Sequence, residues 1–215
     1  GSFNFVKKIR MESPRLWQGQ SYPYLYTVRV SVTADDGSHD VVRQPLGLRT
    51  FRVSPNRGFF LNGAYIKLHG VNRHQDRLDM GNALTAKEHK EDFDLIREMG
   101  VNTIRLAHYQ HAEYFYDLCD QDGQIVWAEL ALVNGVTDSP EFNENVKQQL
   151  RELIRQNYNH PSIVMWSIFN EIRINERFAG GGANPHPILS ELNDLAKEED
   201  GTRLTTSAAM TDPED

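Results

Sequence analysis

An asparagine and a glutamate stand side by side at the end of an apolar segment, and this pair, Asn170 and Glu171, could perform acid–base chemistry. The seven residues before the pair, 163–169, include one polar residue, Ser167. Such a short apolar run, rich in β-branched and aromatic residues, is typical of a strand covered on both faces. A carboxyl group at the end of that strand can protonate a leaving group, and the neighbouring amide can bind a hydroxyl group. We therefore predict a catalytic role for Glu171 and a binding role for Asn170.

A structural role is the alternative for the same two residues. Asn170 could cap a helix that begins directly after the strand, because its side-chain oxygen can accept a hydrogen bond from a free amide of the first turn. Glu171 would then be stabilised by the positive N-terminal end of that helix. Taken alone, the two residues are compatible with either role.

Composition limits the partners and sites that the chain can have. The chain has 215 residues, of which 39% are hydrophobic, as is ordinary for a soluble globular protein. Its 23 basic and 30 acidic residues give a net charge of −7 without a basic run, so we expect no nucleic acid and no membrane as partner. The one cysteine, Cys119, excludes an internal disulfide bond, and we expect it to pack inside a helix. The sequence leaves the cellular compartment open.

The elements that would position the pair alternate between strands and helices from residue 54 onward, which predicts a parallel sheet flanked by helices. The predicted strands cover 66–71, 102–106, 124–129, 163–169 and 204–208, and the predicted helices lie near 85–99, 111–122, 140–158 and 187–199. Thr85 and Glu88 indicate a capping box at the first helix. The third helix is predicted to carry an apolar stripe of Val146, Leu150, Leu153, Ile154 and Tyr158. Because a whole barrel takes about 250 residues, we expect residues 54–215 to form the N-terminal part of a (β/α)8 TIM barrel, with about five of eight strands.

Residues 1–53 lack helical periodicity and carry an alternating apolar and polar strand at 24–32, followed by a turn at 35–37. This pattern predicts part of a β-sandwich. A whole immunoglobulin-like domain has seven strands in about 100 residues, so we expect a partial immunoglobulin-like β-sandwich here. The predicted fold class is thus α/β, with a partial sandwich before the barrel.

Three segments resemble motifs of one enzyme family. They read HGVNRHQD at 69–76, GVNTIRLAHY at 100–109 and NHPSIVMWSIFNE at 159–171, and they fall at the ends of the first, second and fourth predicted barrel strands. Together they resemble glycoside hydrolase family 2, the group of β-galactosidases, β-glucuronidases and β-mannosidases. The segment 72–76, followed by 81–85, is most similar to bacterial β-galactosidases.

The resemblance implies a retaining hydrolysis of β-D-galactosides. Glu171 would be the acid/base, and Asn170 would bind the 2-hydroxyl group of the sugar. The family nucleophile is a glutamate on the seventh barrel strand, beyond this chain, so we expect the chain alone to be inactive. A β-glucuronidase, a β-mannosidase or a non-catalytic carbohydrate-binding or scaffold domain remain alternatives.

The same resemblance implies further substrate-binding residues. Arg105 would hold the nucleophile ionised, and this chain would leave it without that partner. His108 and His74 would contact the sugar or the developing charge, and Asp76 would contact substrate or brace His74. Glu129 also ends a predicted strand, and we interpret it as a pocket acid rather than a nucleophile.

No metal site and no cofactor are expected. Some β-galactosidases of the family bind magnesium after the third strand, but residues 128–135 lack the Glu-x-His pattern for it. His108 and His111 have helical spacing, yet a third zinc ligand is missing. The expected partners are a β-galactoside and further copies of the chain, because the edges of a five-stranded sheet invite pairing. The glycine-rich segment 179–182 is expected to form an active-site loop.

Overall fold

The computed structural model of the chain describes residues 5–172 and 184–208. Its strands are β1 (Tyr26–Thr33), β2 (His39–Leu46), β3 (Phe51–Ser54), β4 (Gly58–Leu61), β5 (Ala64–Ile66), β6 (Gly70–Arg73), β7 (Thr103–Leu106), β8 (Ile125–Glu129), β9 (Ile163–Asn170) and β10 (Leu204–Ala208). Its helices are α1 (Ala86–Glu98), α2 (Glu113–Asp122), α3 (Pro140–Asn157) and α4 (His186–Glu199). The segment 179–182, expected to form an active-site loop, lies outside the described residues.

Five strands form one parallel sheet in the order β10-β9-β8-β7-β6. A helix lies between each strand of this sheet and the next along the chain. This arrangement confirms the predicted α/β class, with five strands of a barrel. Before the barrel strands, β1 and β2 form an antiparallel pair, and β3, β4 and β5 form an antiparallel sheet of three.

The first barrel strand begins later than the sequence predicts. The predicted strand 66–71 is divided between β5, which pairs with β4, and β6, which pairs with β7. Residues 67–69 carry the chain from one sheet to the other, and the Asn102 side chain binds their backbone. At Gly70, a β carbon would lie 2.0 Å from the carbonyl oxygen of Thr103. Glycine is therefore required where β6 approaches β7.

The helices pack against one face of the parallel sheet and form the main apolar core there. Cys119 of α2 is fully buried in this core, as predicted. In α3, the predicted stripe is buried at Val146, Leu150, Leu153 and Ile154. Tyr158 was also predicted to belong to the stripe, but it is 43% exposed and lies one residue beyond the end of the helix. The capping box of Thr85 and Glu88 is present at the start of α1.

Residues from the first part of the chain cover the N-terminal ends of the barrel strands. Trp17 is fully buried there, and its Nε1 donates a hydrogen bond to the carbonyl oxygen of Asp120 (2.8 Å). Its apolar cluster joins the two parts of the chain and contains Trp17, Phe59, Leu61, Ile125 and Val164. The predicted domain boundary between residues 53 and 54 falls within β3 and stays a prediction.

The outer strands of the parallel sheet are β6 and β10, and within the described part of the chain each pairs on one side only. Unpaired strand edges favour association with another strand. The self-association expected from the sequence stays a prediction. Within residues 5–172 and 184–208, no helix has both the length and the apolar composition that crossing a membrane requires.

A buried arginine holds two histidines between β6, α1 and α2. Arg73 donates from Nη1 to Nδ1 of His111 (2.9 Å) and from Nη2 to Nδ1 of His89 (3.0 Å), and it pairs with Asp92 at 2.6 Å. Because arginine is only a donor, both Nδ1 atoms are unprotonated. Burial and the charge of Arg73 lower the pKa of His89, and burial lowers the pKa of His111 to about 3.

We expect acid to destabilise the fold through these two histidines. In the unfolded chain each takes up a proton near pH 6.5, whereas the folded state keeps His111 neutral down to about pH 3. The contribution of His111 to stability is therefore complete above pH 6.5 and is lost as the pH falls towards 3, and that of His89 is lost in the same direction. For each proton that the chain takes up on unfolding, the free energy of unfolding should fall by about 1.4 kcal/mol per pH unit as the pH decreases. Urea unfolding free energies measured from about pH 7 to 4 would test this.

The control for this experiment is His39, an exposed histidine of β2. We expect His111→Gln to reduce the slope of the unfolding free energy against pH by about 1.4 kcal/mol per pH unit, which corresponds to one proton fewer taken up on unfolding. His39→Gln should leave the slope unchanged. The comparison uses slopes, so the stability of each variant at neutral pH does not affect it. A slope unaltered by His111→Gln would show that His111 is not the linked group.

Candidate active site

The carboxyl ends of β6 to β9 bring polar side chains together on one face of the sheet. Arg105 lies in register with Asn72 on one neighbouring strand and with Trp127 on the other. Glu129, two residues after Trp127, lies in register with Ser167. Residues in register on parallel strands project to the same side of the sheet. These side chains therefore share the face opposite the helix-covered core.

Glu129 is at the centre of this group, although its side chain has no exposed surface. Its Oε1 accepts hydrogen bonds from Nη2 and Nε of Arg105 (2.8 and 3.2 Å) and from Oγ of Ser167 (3.0 Å). Its Oε2 lies 3.2 Å from Nδ1 of His108. Hydrogen bonds to charged donors are what a buried carboxylate needs to offset the loss of water. The structure thus pairs Arg105 with Glu129, so its guanidinium is not left unpaired.

The amide of Asn170 is buried, with 1% of the residue exposed. Its Oδ1 accepts a hydrogen bond from Nη2 of Arg105 at 2.6 Å. Its Nδ2 is also buried but finds no hydrogen-bond partner within the described part of the chain. Because buried polar groups are normally paired, this free donor is a candidate contact for a ligand.

Glu171 follows in the left-handed backbone region, with φ of 53°. A residue other than glycine is strained there by about 1 to 3 kcal/mol and needs support from its surroundings. That support includes the hydrogen bond from the backbone amide of Glu171 to the carbonyl oxygen of Ala208 in β10 (2.8 Å). Glu171 is half-buried. Residues 173–183 are outside the described part, so the capping alternative for Asn170 stays untested.

The two predicted pocket histidines meet in the structure. The rings of His74 and His108 lie 4.7 Å apart in an edge-to-face arrangement, and His74 itself is exposed. His111, by contrast, lies in the helix layer with Arg73 and so does not join His108 in a site. Asp76 is exposed, and no side-chain hydrogen bond connects it to His74 or to any other described residue. The structure thus brings His108, Arg105 and Asn170 together, with His74 beside His108.

Three residues of this site were not predicted from the sequence. Asn72 lies 3.4 Å from Arg105, Ser167 binds Glu129, and the Trp127 ring faces the Arg105 guanidinium at 5.2 Å. The Trp127 Nε1 is buried and has no hydrogen-bond partner within residues 5–172 and 184–208. The sequence held signals for two of them. Ser167 is the one polar residue of an apolar run, and Trp127 stands two positions before Glu129 in β8, so the two side chains share one face of the strand.

A possible metal-ligand group lies at the other end of the sheet. Asp117, Asp120 and His160 place ligand atoms within 4.8 Å of one another, and they are the one such group among the described residues. The two oxygens of Asp120 are already engaged by Nδ1 of His160 (2.7 Å) and by the amide of Ser162 (3.0 Å). We interpret this group as a structural link between α2 and the start of β9.

Comparison with known proteins finds two family models that together match most of the chain. The family model described as glycosyl hydrolases family 2 matches residues 2–49, and the model of the TIM barrel domain of that family matches residues 52–213. A β-glucuronidase of Bacteroides fragilis is 51% identical in an alignment of 211 positions that covers 95% of this chain and 30% of that protein. A β-galactosidase of Thermoanaerobacter pseudethanolicus is 33% identical over 93% of this chain and 26% of that protein.

A solved structure agrees in fold with this chain. Bacteroides uniformis β-glucuronidase 2, covalently bound to cyclophellitol-6-carboxylate aziridine, superposes with a TM-score of 0.81 at 37% identity. The match covers 90% of this chain and 24% of that protein. The chain thus spans about 30% or less of the length of each of these relatives.

Proposed function

Because the chain belongs to glycosyl hydrolase family 2, we propose that the protein of which it forms part is a retaining β-glycosidase in which Glu171 is the general acid/base. The nucleophile in this proposal is a glutamate on a later barrel strand, beyond this chain. Arg105, His108, His74 and Asn170 would bind the sugar, and Asp76 would contact the sugar or support His74. No cofactor is part of the proposal.

The observation that carries the proposal is the amide of Asn170 beside Glu171. Its Oδ1 is bound by Arg105, while its buried Nδ2 donor is free among the described residues. A hydroxyl group of a sugar is an acceptor of the right kind for this donor. The contact would strengthen as positive charge develops on the sugar ring, and it would thereby favour the transition state.

In the first step, Glu171 donates its proton to the glycosidic oxygen while the nucleophilic carboxylate attacks the anomeric carbon. The bond between that carbon and the glycosidic oxygen breaks, the alcohol leaves, and the sugar becomes covalently attached to the enzyme. Two carboxyl groups about 5 to 5.5 Å apart suit this reaction. The covalent complex of the Bacteroides uniformis relative supports a covalent step of this kind.

In the second step, Glu171 is a carboxylate and removes a proton from water. The water oxygen attacks the anomeric carbon and displaces the nucleophile, and Glu171 returns to its protonated state. Each step inverts the anomeric carbon, so the product keeps the β configuration.

The sugar that we propose is β-D-glucuronic acid. The support is the 51% identity with a β-glucuronidase, against 33% with the Thermoanaerobacter β-galactosidase. A β-galactoside, expected from the sequence, is the second candidate because enzymes of that activity are also relatives. Groups that recognise the glucuronate carboxylate would come from parts of the protein beyond this chain, and a β-mannoside remains an untested third candidate.

We expect the full-length protein to hydrolyse an aryl β-D-glucuronide with a kcat/KM at least about a hundredfold above that for the matching galactoside. A site that pairs with a carboxylate discriminates strongly against a sugar without one, because its polar groups are then left unpaired. Initial rates give the preference, and proton NMR of the first product gives its anomeric configuration.

The control variant is Glu98→Gln, which changes an exposed glutamate at the end of α1 and should retain full activity. A preference for galactoside would favour the second candidate. Initial release of the α anomer would rule out retention. Sugar binding without turnover would favour the carbohydrate-binding or scaffold alternative.

A further inference from the structure

We propose that Glu129 is a positioning residue that sets the hydrogen-bonding direction of three substrate-binding side chains, namely Arg105, His108 and Asn170. The proposal rests on the proposed glycosidase function, since it concerns how a sugar is held. Glu129 itself is fully buried and bonded at both oxygens, so it acts on the sugar through its neighbours.

The first neighbour is Arg105. Both its Nε and its Nη2 donate to Oε1 of Glu129, and two contacts from one side of a planar guanidinium fix its orientation. Ser167 donates to the same oxygen and holds the carboxylate in place. With the guanidinium fixed, Nη2 has one further hydrogen, and Oδ1 of Asn170 lies 2.6 Å from it.

The contact with Arg105 decides which way the Asn170 amide faces. Nη2 of Arg105 can only donate, so the amide atom next to it must be the oxygen. The Nδ2 group then projects away from Arg105, where no described residue accepts from it. Glu129 thus determines, through Arg105, that Asn170 presents a donor to the sugar.

The second neighbour is His108, whose Nδ1 lies 3.2 Å from Glu129 and 3.1 Å from Nη2 of Arg105. The two hydrogens of Nη2 already serve the shorter contacts to Glu129 (2.8 Å) and Asn170 (2.6 Å). Nδ1 therefore carries the proton, and its N–H donates a hydrogen bond to Oε2 of Glu129. In the neutral ring this leaves Nε2 as an acceptor, and no described residue occupies it.

One buried carboxylate therefore fixes one donor, Nδ2 of Asn170, and, in the neutral His108 ring, one acceptor, Nε2. Hydroxyl groups of a sugar both donate and accept, so this combination suits them. If Glu129 served only to stabilise the barrel, its loss would affect all substrates alike. The two roles can therefore be separated by changing the substrate.

The test uses Glu129→Gln in the full-length enzyme, because glutamine keeps the size but replaces one acceptor oxygen with a donor group facing Arg105 or His108. We expect kcat/KM for the aryl glycoside to fall by about 10²- to 10³-fold. For the 2-deoxy analogue we expect a loss of about tenfold or less, because that substrate lacks the hydroxyl group that Asn170 binds. An equal loss on both substrates would overturn the proposal.

Glu98→Gln is the matched control, because it makes the same change at an exposed glutamate at the end of α1. We expect it to keep full activity on both substrates. If Glu129→Gln does not fold, Glu129→Asp replaces it. Aspartate keeps the negative charge, but its side chain is one methylene shorter and moves the carboxylate away from Arg105 and His108.

A crystal structure of the Glu129 variant gives a second result that does not depend on activity. We expect the contact between Arg105 and Asn170 to be lost. Unchanged positions of both side chains would overturn the proposal. If the wild-type enzyme cleaves no β-glycoside, the proposed function fails, while the variant structure still decides the positioning role.

Discussion

Replacement of Glu171 by glutamine should reduce hydrolysis of alkyl β-glycosides by the full-length enzyme by about 10²- to 10⁴-fold. An alkoxide leaving group needs a proton as its bond to the sugar breaks, and glutamine has none to give. A phenolate with a low pKa leaves without help, so the first step with an activated aryl glycoside should be largely retained. Its second step still lacks a base, and we expect a burst of phenol followed by slow turnover.

Stopped-flow measurements on one alkyl and one activated aryl glycoside would test this expectation. Glu98→Gln, the exposed control on α1, should show neither the loss nor the burst. Equal losses on both substrates without a burst would contradict an acid/base role for Glu171. Loss of stability without a change in the ratio of the two rates would favour the helix-capping role of the Asn170–Glu171 pair.

The 215-residue chain alone should show no glycosidase activity. A covalent intermediate needs a nucleophile besides the acid/base, and the proposal places that nucleophile on a later strand. Glu129 is the buried carboxylate beside the described site, and its oxygens are occupied by Arg105, Ser167 and His108. It is therefore poorly placed to attack a sugar.

We would assay the purified chain with aryl β-glucuronide and β-galactoside, alone and mixed with the remainder of the full-length protein. Activity that appears only in the mixture is the expected result. Robust turnover by the chain alone that is lost in Glu171→Ala would contradict the prediction. Glu129 would then be the first residue to test as a second catalytic carboxylate.

Local sequence patterns predicted the elements of the barrel well because the forces behind them act over a few residues. The capping box at Thr85, the buried stripe of α3 and the apolar run of β9 each lie within one element. The break between β5 and β6 was missed, because residues 64–66 have their partner in a hairpin and Gly70 has its partner in β7. Pairing of that kind is not visible in the local pattern.

The candidate site, too, was predicted in part from the sequence and decided in part by the tertiary structure. By itself, the sequence determined that Asn170 and Glu171 end a buried strand, that Arg105 and Glu129 lie at the ends of two other strands, and that His108 follows one of them. Only the tertiary structure decided that Glu129 binds both Arg105 and His108, and that Oδ1 of Asn170 accepts a hydrogen bond from Arg105. The reason is physical: strand register sets which side chains lie level, and hydrogen-bond direction depends on atoms from three different strands.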